Sequence, residues 1–302
     1  GATYAEQVTV RNFTNNGSSI TIFSDPALSQ RPVVSPPAAS TAAFVIANAS
    51  VNIQGLSIIA DQNVPYGVWA SSAYVQLSSV SVSTSGSFGI YTAGVRISSW
   101  SAISYNSVTV WDAHGYWLDG ATVTAVAFST AVNNSAGRYA VYLEGGKNNV
   151  FTVILASNSH AGGYGLYALG SDTNTVTQSF LRGGGDGAYL AAGSDYNTVS
   201  LSTMIGNSLF GLYAVGSDSN TVTQSYLRAG TYGAYLDAGS DYNTISLSTM
   251  IGNGVSSLLF SGASSNTVTQ SFMWGATFSG VYLSAGSNYN AISLSTMISD
   301  NN

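Results

Sequence analysis

The sequence predicts an all-β solenoid, a single-stranded right-handed parallel β-helix of roughly eleven or twelve rungs, and two observations carry that prediction. One phrase returns at Asn174-Thr-Val-Thr, Asn197-Thr-Val-Ser, Asn220-Thr-Val-Thr, Asn243-Thr-Ile-Ser, Asn266-Thr-Val-Thr and Asn290-Ala-Ile-Ser, at intervals of 23, 23, 23, 23 and 24 residues. Each unit also holds three short runs of β-branched or aromatic residues separated by Gly, Ser, Asp and Asn, with no amphipathic helical stretch. Three such strands per turn stack on the next turn at about 4.8 Å and close three parallel sheets around a narrow core.

From the N-terminus, residues 1–60 read as irregular opening rungs, with strands in TYAEQVTV, SITIF, PVV and SVNIQGLSI and a Pro-rich loop over 31–37. The first strand of each rung is then traced by an aromatic: Trp69, Tyr91, Trp117, Tyr142, Tyr167, Tyr189, Tyr213, Tyr235 and Tyr282, with Leu259 in the one gap and Phe44 one rung before Trp69. Residues 165–302 carry the regular repeats, so 1–302 is expected to be one domain. Strand alternation around Tyr167 buries Leu166 and Ala168 and turns the ring outwards. It also buries Val176, Val199, Val222, Ile245, Val268 and Ile292, followed by Leu181, Met204, Leu227, Met250, Met273 and Met297.

The Asn column suits a turn, where Asn tolerates a left-handed backbone and stacked amides bond along the axis. Asp172, Asp195, Asp218 and Asp241 form a second turn column. Such a column could hold calcium, but each Asp bonding to its own turn is the simpler reading, and no metal site or cofactor is expected.

Three outward columns are candidates for function. The aromatic row from Trp69 to Tyr282 makes a long apolar stripe on which sugar rings could lie. Arg182 and Arg228, beside Phe180 and Tyr226, are guanidinium forks suited to the carboxylates of an acidic sugar flanking that row. Thr175/Thr177 and the equivalents at 198/200, 221/223, 244/246 and 267/269 look like the ice-binding arrays of β-helical antifreeze proteins, although Ser interrupts alternate rungs.

Charge is scarce, at 7% of residues, so its concentration from Arg96 to Lys147 is informative. Asp119 and Glu144 lie two residues after Trp117 and Tyr142 and should face outwards on adjacent rungs, with His114 and Arg138 on the neighbouring edge. A close carboxylate pair can divide acid and nucleophile roles in glycoside hydrolysis. A surface Glu144–Lys147 pair is the bland alternative.

The repeated Gly-x-Tyr, Gly-Ser-Asp turn and Asn-Thr-Val/Ile resemble the parallel β-helix repeats of pectate-lyase-like proteins, the pectin-lyase fold superfamily, over nearly the whole chain. TYAEQVTV and the strands after it look like the opening of pectinesterase-type β-helices. The resemblance implies the fold and a catalytic face where Asp119 and Glu144 stand. It does not extend to the Asn-Thr-Asp and Asp-Asp set of polygalacturonases, the calcium-binding Asp set with catalytic Arg of pectate lyases, or the Gly-x-Asp-Phe-Ile-Phe-Gly of pectinesterases. His114-Gly115 is only partly similar to the Gly-His-Gly of polygalacturonases, because residue 113 is Ala.

Composition narrows the partners. A net charge of -6 and seven Lys+Arg provide no basic field for nucleic acid. Cysteine is absent, which removes disulfides and thiolate chemistry, and no apolar run approaches a membrane span. The expected protein is an exported or cell-surface domain that binds a polysaccharide or other extended polymer without catalysis. A polysaccharide lyase or glycoside hydrolase, and a structural stalk or adhesin, are the alternatives. The end at Ser299-Asp300-Asn301-Asn302 leaves an open sheet edge that suits end-to-end association or a flanking domain.

Overall fold

The computed structural model describes residues 2–13, 18–61, 63–85, 92–284 and 286–300. Among these, the strands form one 13-stranded and two 12-stranded sheets, each strand lying parallel to its counterparts one rung away. The first sheet runs from Thr3–Tyr4 to Thr296–Ser299, the second from Val8–Arg11 to Ser279–Leu283, and the third from Ile20–Phe23 to Ala291–Ser293. One rung is, for example, Phe180–Gly183, Ala188–Ala191 and Thr198–Ser200. The solenoid read from the repeat period is therefore present from the opening rungs onwards. Within the Pro-rich stretch the expected loop contains a short strand, Val33–Val34, because the amides of Val33 and Ser35 are free of the proline rings and donate to Ala2 and Tyr4.

The core is the column of β-branched and long aliphatic side chains that alternation assigned to it. Val176, Val199, Val222, Ile245 and Val268 are buried, as are Leu181, Met204, Leu227, Met250 and Met273. Ile292 and Met297, on the last rung, are covered from one side only and remain partly or well exposed.

Polar ladders close the turns. Each Asn amide N–H donates to the Oδ1 of the Asn one rung further on, from Asn149 to Asn174 at 2.9 Å through Asn266 to Asn290 at 2.8 Å. The left-handed residue is not Asn, as expected from the sequence, but its predecessor: Thr173, Tyr196, Ser219, Tyr242, Ser265 and Tyr289 all have φ between 56° and 59°. The Asn side chain must instead point inwards to reach the next rung, and the Asn residues from 174 to 266 are buried. A Ser ladder from Ser179 to Ser295, which the sequence reading did not single out, ties the next corner in the same way. The Asp column also bonds between rungs rather than within its own turn: the amides of Asp195, Asp218, Asp241 and Ser264 donate to the carboxylate one rung before.

Candidate functional site

The second sheet carries the aromatic row, and its register shows where the sequence trace was right and where it slipped. Trp117, Tyr142, Tyr167, Tyr189, Tyr213, Tyr235, Leu259 and Tyr282 are register partners in succession. Upstream, the partner of Trp69 is Val45, and Phe44 is buried one position earlier. The place between Trp69 and Trp117 belongs to Arg96, not to Tyr91, which lies outside the described residues. The strand of that rung is Ala93–Ile97, so taking the aromatic as its marker misplaced it.

Consecutive rings touch: Trp117 to Tyr142 at 5.7 Å, Tyr142 to Tyr167 at 5.5 Å, Tyr167 to Tyr189 at 5.0 Å, Tyr189 to Tyr213 at 4.6 Å and Tyr213 to Tyr235 at 5.0 Å between centroids. Because each ring shields its neighbours, those from Tyr142 to Tyr235 are half-buried, and only Tyr282 is well exposed at 43%. Trp117 departs from the expected exposure. It is 2% exposed, since the Arg96 guanidinium lies 4.1 Å over its ring while His114 and Tyr142 flank it.

A second outer row runs beside the first and was missed by strict alternation: Tyr139, Tyr164, Phe210 and Tyr232. On the strand Tyr164–Leu169 two successive residues, Gly165 and Leu166, are both buried, so Tyr164 faces out three residues before Tyr167. Gly165 makes this slip possible, because a Cβ there would meet the Arg182 amide nitrogen and the Gly187 carbonyl oxygen at 2.6 Å. Tyr139 stacks on Tyr164 at 5.2 Å and touches Tyr167 at 4.6 Å, while Phe210 contacts Tyr213, Tyr232 and Tyr235. An aromatic just before a small residue, as in Tyr164-Gly165, Phe210-Gly211 and Tyr232-Gly233, was the available signal. Between Tyr164 and Phe210 the second row holds Asp186, 1% exposed, whose carboxylate accepts the Phe210 amide at 3.0 Å. Burial pushes its acid up to about 7.

Acidic side chains line the rim and accept from the row. The Trp117 indole donates to Glu144 at 3.1 Å, and the Tyr213 hydroxyl donates to Asp237 at 3.0 Å. Burial pushes Tyr139 and Tyr164 up to about 12, and burial followed by the charge of Glu144 raises Tyr142. These hydroxyls therefore remain protonated hydrogen-bonding groups. Asp119 and Glu144 are register partners on adjacent rungs, as expected. Asp119, however, is held by Arg96 through contacts of 2.5 and 3.2 Å, and Arg96 also donates to the Tyr66 hydroxyl at 2.8 Å. Lys147 pairs with Asp172 at 3.0 Å, not with Glu144.

His114 is not on a neighbouring edge: it opens the strand His114–Asp119 and is 3% exposed. Its Nδ1 accepts the Tyr139 amide at 3.2 Å, which leaves Nε2 to carry the proton of the neutral ring. Arg138 immediately precedes that amide and donates to the Asp112 carbonyl at 3.2 Å. His114, Trp117, Arg138, Tyr139, Tyr142 and Glu144 border a cleft of about 290 Å³ open along the aromatic face. Arg182 and Arg228 do not flank the row. They project from the first sheet, beyond the glycine-containing turns that separate it from the second. Among the described residues no group of three or more acidic or imidazole side chains is placed to hold a metal ion, and no helix is long and apolar enough to cross a membrane.

A sequence profile described as right handed beta helix region matches residues 119–296. No curated protein sequence matches the chain. Solved structures share its architecture at low identity. The catalytic domain of a GH87 alpha-1,3-glucanase in complex with nigerose aligns with TM-score 0.54 and 9% identity over 96% of this chain and 62% of that one. The A-module of the Azotobacter vinelandii mannuronan C-5 epimerase AlgE6 aligns with TM-score 0.52 and 11% identity over 95% and 92%. The periplasmic alginate epimerase AlgG aligns with TM-score 0.52 and 10% identity over 97% and 77%. The chain thus spans less than two thirds of the glucanase domain, and at these identities the likeness is one of fold.

Proposed function

Because this chain belongs to the right-handed β-helix family, whose scaffold leaves activity to the side chains it presents, we propose that its second sheet binds an extended polysaccharide along the double aromatic row. The observation that carries this reading is the unbroken ring surface from Tyr139 to Tyr235, half-exposed and two rings wide on most rungs. Pyranose rings have apolar faces that lie on aromatic rings, and the rim acids Glu144 and Asp237 offer acceptors for sugar hydroxyls. The glucanase solved with nigerose and the alginate epimerases lend support to a glycan only through the shared fold. The absence of cysteine and the scarcity of charge fit work outside the cell.

A polymer held weakly by many rungs gains affinity through effective concentration, so retention should rise steeply with chain length. Replacing Tyr167, Tyr189 and Tyr213 together with Ser should abolish retention on the polymer while the protein stays folded by circular dichroism. Parent-like retention in that variant would end this reading in favour of a structural stalk.

A catalytic reading is favoured by the cleft that gathers Glu144, His114 and Arg138 against the rings. In it Asp119 is a positioning residue, since its carboxylate is already bound to Arg96. A reducing-end assay checks it: cleavage that Glu144→Gln abolishes, with binding intact, supports catalysis, and binding without product from the parent excludes it for the polymer tested.

A further inference from the structure

We propose a second ligand site on the first sheet, a trough between Arg182 and Arg228 that takes the carboxylates of a polyuronate chain. The chain has seven Lys and Arg residues. Among the described residues, ion pairs join Arg96 to Asp119 and Lys147 to Asp172, and neither Arg182 nor Arg228 has a carboxylate partner. Both guanidinium groups are exposed. In a molecule with a net charge of -6, cations left unneutralised on one face are a local field of the opposite sign.

The two arginines stand at one register position with Ile205 between them, hence two rungs apart, about 9.6 Å. Each belongs to one copy of a 46-residue double repeat, and each copy supplies an Asn from the following rung, Asn207 and Asn253. Asn207 accepts the Arg182 Nε–H at 3.3 Å, which orients the guanidinium and leaves the Asn amide N–H groups as donors. Gly206 and Gly230 also line the trough, and both pack tightly on neighbouring backbone, where a Cβ would strike the Phe210 carbonyl oxygen at 2.0 Å and the Asn207 carbonyl oxygen at 2.6 Å. The trough is open to solvent and has a volume of about 260 Å³. Asp186, the acid in the turn beyond Arg182, is buried on the aromatic side, where desolvation raises its pKa against the opposing pull of the Phe210 amide, and it forms no ion pair with Arg182.

A planar fork matches a carboxylate better than it matches a neutral sugar hydroxyl. In an extended ribbon of linked uronic acids, successive rings face opposite ways, so carboxylates recur on one edge at every second sugar. That repeat is close to two rungs, so one chain lying along the solenoid axis can reach both arginines.

The site does not depend on the aromatic row, and the experiment separates the two. Binding of an oligouronate, the same oligomer after carboxyl reduction, and a sulfated oligosaccharide of similar length is measured by calorimetry at low and high salt. The parent should prefer the oligouronate to its reduced form, and the preference should shrink with salt. Arg182→Gln with Arg228→Gln should weaken oligouronate binding about tenfold, to the level of the reduced oligomer, with an unchanged melting temperature because both side chains are exposed. The double Lys variant should recover only part of the loss, since it keeps the charge without the fork. Oligouronate binding by the Gln pair at parental strength overturns the proposal, as does a parental preference for the sulfated oligomer over the oligouronate. The trough can fail while retention of the reduced polymer persists, and failure of the aromatic reading removes that retention from the parent.

Discussion

The rungs between Tyr66 and Glu144 and those between Tyr164 and Ser299 share one backbone course but hold themselves together differently. In the later rungs identical side chains stack on themselves: Asn on Asn, Ser on Ser, Asp on the next Asp amide, Tyr on Tyr. In the earlier ones the same places carry unlike partners chosen for each other. Arg96 sits between the Tyr66 and Trp117 rings and is bound to Asp119, and the buried His114 takes a backbone amide from the next rung. A duplicated rung reproduces its own contacts for nothing more than correct register, so it stabilises without specifying. Where the repeat breaks, charged and polar groups converge, and the aromatic-face cleft opens there. The Arg182 and Arg228 trough shows the exception: an alternating pair of repeats can place one residue on every second rung.

The largest effect tests a flaw in the regular half. Asp186 interrupts the second aromatic row, and its acid is raised from 3.8 to about 7 by burial. The folded state therefore holds its proton more tightly than the unfolded chain, and the stability this contributes is complete below about pH 4 and is lost as pH rises through about 7. Asp186→Asn should flatten that decline and stabilise the protein by up to about 4 kcal/mol at pH 8. Denaturant unfolding of both proteins at pH 4 and pH 8 checks this, and equal slopes with pH would show that another group sets the dependence.

The unlike contacts of the earlier rungs should respond next. Arg96→Met keeps the stem over Trp117 but leaves Asp119 without its partner, at a cost of about 2 kcal/mol, and it should expose Trp117 to quenching by acrylamide. A variant with parental stability and a still shielded indole would mean that packing alone covers that ring.

A finer comparison lies within the ladder. Asn197 accepts the Asn174 amide, and its Nδ2 donates to the Ser171 carbonyl at 2.8 Å, whereas Nδ2 of Asn220 is buried without a partner. Asn197→Ala should cost on the order of 1–3 kcal/mol in thermal unfolding, and Asn220→Ala about 1 kcal/mol less. Identical losses would show that only the Oδ1 bond matters.

The rung period, the inward columns and the outward Tyr residues were legible because each repeats along the chain, and a repeat exposes its own alternation. The Arg96 rung was misassigned because Tyr91 offered an aromatic at an acceptable spacing while the strand begins at Ala93. Tyr139, Tyr164, Phe210 and Tyr232 were overlooked because alternation turns the residue three before an outward one towards the core. The backbone slip at Gly165 reverses that, and a one-residue slip is a property of how one strand meets the next sheet.

The sequence by itself determined the architecture of this protein, since a 23-residue period of short β-branched runs can bury its apolar face only by stacking on copies of itself. It also determined which residues of the regular repeats would share a column. Only the tertiary structure decided what those columns do to their neighbours: that Trp117 is covered by Arg96, that Asp119 is bound while Glu144 lines a cleft, that Asp186 is buried among rings, and that Arg182 and Arg228 lie on a different sheet from the aromatics. The physical reason is that register along a solenoid is set by local, repeated contacts. The environment of a charge, by contrast, depends on side chains from adjacent rungs and across a turn, whose approach no periodicity encodes.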